Sequence, residues 1–112
     1  MNDVLEKLEE TIAARREASP EESYVASLHA KGLNKILEKV GEEATEVVLA
    51  AKDAGEPGGR DALVGEVADL WFHSMVMLSH LNISLEEVSN CLASRFGVSG
   101  HEEKASRGQG AN

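Results

Sequence analysis

The run from Arg60 to Leu81 places apolar side chains around nearly the whole circumference of a helix: Leu63, Val64, Val67, Leu70, Trp71, Phe72, Met75, Val76, Met77 and Leu78. A helix of that kind must be covered on several sides. At about 100° per residue, its polar positions Glu66, Asp69 and His73 fall within a sector of roughly 60°. The rest of the chain therefore has to supply helices that enclose this one, and the acids within it need a chemical reason to be there.

Spacings of three and four recur along the remaining sequence, and alternating strand-like runs rich in Val, Ile and Thr are missing. The fold class is all-α, a helical bundle. A first helix from about Asp3 to Ala18 carries Val4, Leu5, Leu8 and Ile12 as a thin stripe. Ser19-Pro20 with Glu22 reads as a helix restart, Ser19 being the cap, and a short helix through Tyr24 to about Ala30 follows. The next long helix, about Leu33 to Ala54, shows Leu33, Ile36, Leu37, Val40, Ala44, Val47, Val48 and Ala51 at helical spacing. Gly55 and Pro57-Gly58-Gly59 make a turn into the apolar helix. Ser84 with Glu87 forms a capping box for a last helix to about Phe96. One domain over residues 1–96 is expected, followed by a polar, Gly-rich tail over 97–112 that is expected to be disordered. The apolar helix needs more cover than the short helices of one chain supply, so the bundle is expected to be completed by homodimerisation.

Charge and cysteine content narrow the function classes. Eleven Lys and Arg against twenty Asp and Glu give a formal net charge of -9, with no basic block, which argues against a nucleic-acid or anionic-membrane partner. Cys91 is the single cysteine, so neither an internal disulfide nor a thiolate zinc cluster can form. No run approaches the ~18 apolar residues of a membrane span, and the amino terminus lacks a signal-peptide pattern. A cytoplasmic protein is expected.

The chemistry is concentrated in two acidic pairs on the two long helices. Glu43 lies at the edge of its apolar stripe with Glu46 one step further round, while Glu38 and Glu42 turn toward solvent. Glu66 and Asp69 lie in the narrow polar sector of the neighbouring helix. Four carboxylates so placed repel one another. Protons, Lys or Arg can neutralise them, but a hard cation uses all four groups, because Mg²⁺ and Mn²⁺ prefer carboxylate oxygens. Mg²⁺, with Mn²⁺ as a possible substitute, is the preferred reading; a solvated acidic face paired with lysines such as Lys39 or Lys52 is the bland one. His73, one turn beyond Asp69, is either a packed histidine or a partner of the site. Lys31, Lys35 and Lys39 recur every four residues toward Glu43, and they either deliver ammonium groups to phosphates or are ordinary solvated lysines. Ser23 and Tyr24, like Arg15 and Arg16, can add hydroxyl or anion contacts.

The segment Lys39-Val40-Gly41-Glu42-Glu43-Ala44-Thr45-Glu46-Val47-Val48, followed by Glu66-Val67-Ala68-Asp69-Leu70-Trp71-Phe72-His73, resembles the MazG-type all-α nucleotide pyrophosphohydrolases. Within them it is most similar to the phosphoribosyl-ATP pyrophosphatases of histidine biosynthesis. Ser23-Tyr24-Val25-Ala26-Ser27-Leu28, Lys31-Gly32 and Lys35-Ile36-Leu37 add to the likeness, which covers about residues 3 to 96. The resemblance implies a four-helix-type dimer, Mg²⁺ dependence, and cleavage of phosphoribosyl-ATP into phosphoribosyl-AMP and pyrophosphate by in-line attack of water. It carries the family's acidic metal positions onto Glu43, Glu46, Glu66 and Asp69; substrate contacts are expected, from their residue types and spacing, at Ser23, Tyr24, Lys31, Lys35 and Lys39. Glu46, or else Glu43, is the carboxylate expected to orient or deprotonate the water.

Two other readings share part of this pattern. A housecleaning pyrophosphatase for a noncanonical or pyrimidine nucleoside triphosphate would use the same acids with a different nucleoside pocket. A non-catalytic helical interaction protein would carry them as surface charge. A di-iron carboxylate bundle is disfavoured, since its paired Glu-x-x-His motifs are absent.

Overall fold

The computed structural model describes residues 2–96. Five helices follow in order: α1 (Asn2–Arg15), α2 (Tyr24–Lys31), α3 (Leu33–Lys52), α4 (Gly59–His80) and α5 (Leu85–Ala93). The described residues contain no strand, so the all-α reading holds. The expectation for the 97–112 tail lies outside the described residues. The backbone groups into two compact units, Met1–Asn82 and a second beginning at Ile83, and each is described by itself.

The first unit is organised by α3 and α4, whose pairing is the most extensive between any two helices. The short connection between them makes this pair an antiparallel hairpin. Its turn is drawn tight by hydrogen bonds from Glu56 N to Asp53 O (3.0 Å) and from Gly59 N to Glu56 O (2.8 Å). Gly58, at φ 78°, takes the left-handed conformation that glycine adopts without steric penalty. Gly59 is buried, and a Cβ there would fall on the Asp53 carbonyl oxygen and 2.9 Å from the Ala54 backbone.

Ile12 from α1, Val25, Ala26 and Leu28 from α2, Ile36 from α3, and Met75 and Val76 from α4 form the buried core. It is aliphatic and small. On α3, the positions at helical spacing with Ile36 are Val40, Glu43 and Val47. Glu43 therefore takes an inward position on a face that is otherwise apolar, further in than the edge expected from the sequence. On the opposite end of the pair, the Arg16 Nη1 donates to the Ser79 carbonyl (2.7 Å), which also accepts from Asn82 N (3.1 Å), so a cation meets the negative end of α4. Asn82, with φ 59°, then carries the chain out of the helix in the left-handed conformation common after a helix end.

One expected boundary moves. Ser19 caps no helix; its carbonyl accepts from Glu22 N and Ser23 N (3.0 and 3.1 Å), and its hydroxyl accepts from Glu21 N while donating to the Glu21 carboxylate. These bonds make a closed turn, and the extended conformation of Ser23 interrupts it before the helix begins. Ser23 is the N-cap of α2, its side chain accepting from Ala26 N (3.1 Å).

The second unit is built on α5. Ser84 accepts from Glu87 N (3.1 Å) and the Glu87 carboxylate accepts from Ser84 N (2.9 Å), completing the capping box read from the sequence. Leu92 and Phe96 lie exposed in it.

Candidate metal centre

Because α3 and α4 run back on each other through a short turn, acids one helical turn apart on α3 can meet an acid on α4. Glu43, Glu46 and Glu66 do so. Each offers a carboxylate oxygen, and these oxygens lie within 4.8 Å of one another. The three differ in exposure: Glu43 is only 7% exposed, Glu66 is partly covered and Glu46 is open to solvent. The cluster thus has a closed floor and an open mouth.

Asp69, the fourth acid expected at the site, is exposed and stands outside this convergent trio. It still acts on it. Burial, then the charges of Glu46, Asp69 and Glu43, push the Glu66 carboxyl above the usual carboxylate range. Lys39 supplies the near counter-charge, its ammonium 3.2 Å from Glu42 and 3.6 Å from Glu43. The hydrogen bond to Glu42, with Tyr24 and Glu43 adding to it, holds that ammonium above the ordinary lysine range. One lysine shared between two glutamates does not balance three convergent carboxylates. A divalent cation accepting carboxylate oxygens fits this donor set, and Mg²⁺ characteristically uses few protein carboxylates and keeps several waters at an open side.

The remaining expected residues are placed less uniformly. Ser23 is buried and occupied as the α2 cap. Lys35 pairs with Glu38 at 3.1 Å, and Lys31 ends α2 on the exposed surface. Tyr24 is the one placed beside the polar sector of α4. Its hydroxyl lies 2.8 Å from His73 Nε2, and His73 Nδ1 lies 2.8 Å from the Asp69 carbonyl oxygen. That carbonyl can only accept, so Nδ1 carries the proton, Nε2 accepts, and the phenol donates. His73 is a packed histidine that ties α2 to the turn of α4 holding Asp69.

This chain of contacts was not foreseen, nor was a second one. His29 Nδ1 faces His80 Nδ1 at 2.9 Å, with the rings stacked at 5.1 Å. His29 Nε2 is buried and has no hydrogen-bond partner among the described residues. Burial, followed by the charges of Arg16 and His80, keeps the His29 imidazole below the ordinary histidine range. Histidines far apart in sequence give no local signal of such a pair; the only hint is that His29 falls four residues after Val25 on the inward side of α2.

Comparison with known proteins identifies the family. The phosphoribosyl-ATP pyrophosphohydrolase family model matches residues 5–96. The chain belongs to that family. The phosphoribosyl-ATP pyrophosphatase of Hydrogenovibrio crunogenus (strain DSM 25203 / XCL-2) is 59% identical over 106 residues, covering 95% of this chain and 94% of that protein. Membership of the pyrophosphohydrolase family makes the chain a hydrolase of a biosynthetic nucleotide and disposes of the interaction-protein reading. Glu43, Glu46, Glu66 and Asp69 all lie inside the matched segment.

Proposed function

We propose that this chain hydrolyses phosphoribosyl-ATP to phosphoribosyl-AMP and pyrophosphate, the second step of histidine biosynthesis, at the cluster of Glu43, Glu46 and Glu66. The observation that carries the reading is the meeting of those three carboxylates on a partly buried hairpin, within a chain of the pyrophosphohydrolase family. Glu43, Glu46 and Glu66 would hold Mg²⁺, or Mn²⁺ in its place, with Asp69 at the rim. When bound, the cation acts as a Lewis acid that offsets the charge of the phosphate oxygens and of the transition state.

The chain's own groups do the rest. Glu43, held on the buried floor with Lys39 against it, fixes the orientation of the site. Glu46 faces the open mouth, where a water can reach it, and it orients or deprotonates that water for in-line attack on phosphorus. Lys39, and beyond it Lys35 and Lys31, lead along α3 and the end of α2 as cations for the substrate's outer phosphates, which a chain of net charge -9 otherwise repels. The enzyme works as a homodimer in the cytoplasm. Among the described residues, no helix is long and apolar enough to cross a membrane.

The test is pyrophosphate release from phosphoribosyl-ATP beside ATP, dUTP and dCTP, with Mg²⁺ and with EDTA. A specificity constant that favours phosphoribosyl-ATP and is lost with EDTA is expected. Equal or better values for the triphosphates would replace the histidine-pathway substrate and leave the pyrophosphohydrolase chemistry in place.

A further inference from the structure

Tyr24 combines a fixed orientation with an open ring. Its hydroxyl donates to His73, and the His73 ring meets it edge-on, with centroids 5.7 Å apart and planes at 82°. Phe72 stacks on it at 6.2 Å and 18°. Despite these contacts Tyr24 is 51% exposed. Phe72 alongside and His73 edge-on cover only part of the ring, and the rest of it is open to solvent. An aromatic that serves packing alone is covered by its neighbours, whereas here a hydrogen bond at the far end of the ring holds an apolar face toward water. The position is also informative. Through His73, whose other ring nitrogen meets the Asp69 carbonyl, Tyr24 is tied to the polar sector of α4 that also carries Glu66.

We propose that the open face of Tyr24 is the stacking platform for the adenine of the substrate, with His73 as the positioning residue that holds the ring in place. The proposal rests on the reading of the acid cluster as the pyrophosphohydrolase site and adds which part of the substrate is recognised and where. In a nucleotide, one ribose separates the base from the phosphates. A site that holds the phosphates at Glu43, Glu46 and Glu66 meets the base a short distance away. Tyr24, tied through His73 to the turn of α4 that carries Asp69, stands in that region. Stacking a base on an aromatic side chain is sequence-tolerant and contributes about tenfold or more in affinity.

The experiment uses the full chain with Mg²⁺ and compares Tyr24→Leu, Tyr24→Phe and Tyr24→Trp. It reads KM and kcat for phosphoribosyl-ATP, inhibition by AMP and by inorganic pyrophosphate, calorimetric binding of AMP, and mass by light scattering. Tyr24→Leu should raise KM and weaken AMP about tenfold, leaving pyrophosphate inhibition and the Mg²⁺-induced thermal shift unchanged. Tyr24→Trp should restore AMP binding, and Tyr24→Phe, which keeps the ring and loses its tether, should fall between. The proposal is overturned if Tyr24→Leu binds AMP within twofold of the parent, if pyrophosphate inhibition weakens in equal measure, if Trp fails to restore binding, or if Tyr24→Leu alters the oligomeric mass, which would make the open face an interface between copies. Calorimetric AMP binding separates this outcome from failure of the underlying reading. Should the parent chain show no Mg²⁺ response or turnover, the acid cluster is misread, and the stacking face is still decided by the AMP titrations.

Discussion

Glu66 shows what the acid cluster costs before any ligand arrives. Its folded-state pKa is raised above the ordinary 4.5, so between 4.5 and that raised value the folded chain holds more protons than the unfolded one. Stability of the metal-free protein accordingly falls as pH rises through this window, and at neutral pH the full repulsion is present. Glu66→Gln removes it. Thermal melts in EDTA at pH 7 should show Glu66→Gln more stable than the parent, whereas in Mg²⁺ the order should reverse, because a cation at a hundred times its dissociation constant adds about 2.7 kcal/mol to the parent alone. Turnover should be lost in the same variant, while Glu42→Gln, already exposed and held by Lys39, should remain close to the parent. The His29–His80 pair has the opposite sign. The His29 imidazole takes up its proton less readily in the fold, so in the window beneath the ordinary value of 6.5 the unfolded chain binds more protons, and stability is lost as pH falls through that window. Replacing both rings by Phe keeps the stacking and should flatten the acid limb of a plot of Tm against pH; an unchanged limb would mean that other groups carry it. The convergence of Glu43, Glu46 and Glu66 was legible because spacing along two helices joined by a short turn almost determines it. The outlying place of Asp69 and the two histidine contacts were not, since both depend on how far one helix slides and rotates against its neighbour.

The helices themselves follow local rules closely enough to be read from sequence. α3 and α4 lie within two residues of their expected ends, because apolar spacing of three and four defines their bodies and the glycine-rich turn separates them. The capping box of α5 was equally legible, its two partners being three residues apart. The start of α2 was not: Ser19 and Ser23 both satisfy a cap pattern, and the competing closed turn at Ser19 decides between them. The Gly58-Gly59 turn is the element most sensitive to change. A side chain at Gly59 meets backbone, which cannot swing aside as a flexible side chain would. Gly59→Ala should therefore lower stability by about 1–3 kcal/mol in urea titrations, the range for forcing extra volume into a packed place. An effect below about 0.5 kcal/mol would mean that the turn yields easily.

At the scale of the whole molecule, the first unit leaves apolar surface uncovered. Leu37 and Val48 share one face of α3 at helical spacing, with Gly41 and Ala44 between them, and Val64 and Trp71 share one face of α4, with Ala68 between. Val64 is 68% exposed. Two glycines, Gly41 and Gly65, stand inside these helices with nothing within 4 Å of a Cβ, although glycine in a helix interior costs about 1 kcal/mol relative to alanine. Large apolar residues flanking small ones suit close approach of a second copy. Light scattering at micromolar concentration should give a dimer mass, and Val64→Glu should shift it toward the monomer; a monomeric parent with full turnover would defeat the homodimer. The hairpin has one more consequence, and it concerns time. The acids that meet at the cluster lie on helices consecutive in the chain, so closure of one hairpin is enough to bring them together. Their mutual repulsion is first met when that hairpin closes, so refolding rates measured in Mg²⁺ and in EDTA should differ; equal rates would place the meeting of the acids after the rate-limiting step.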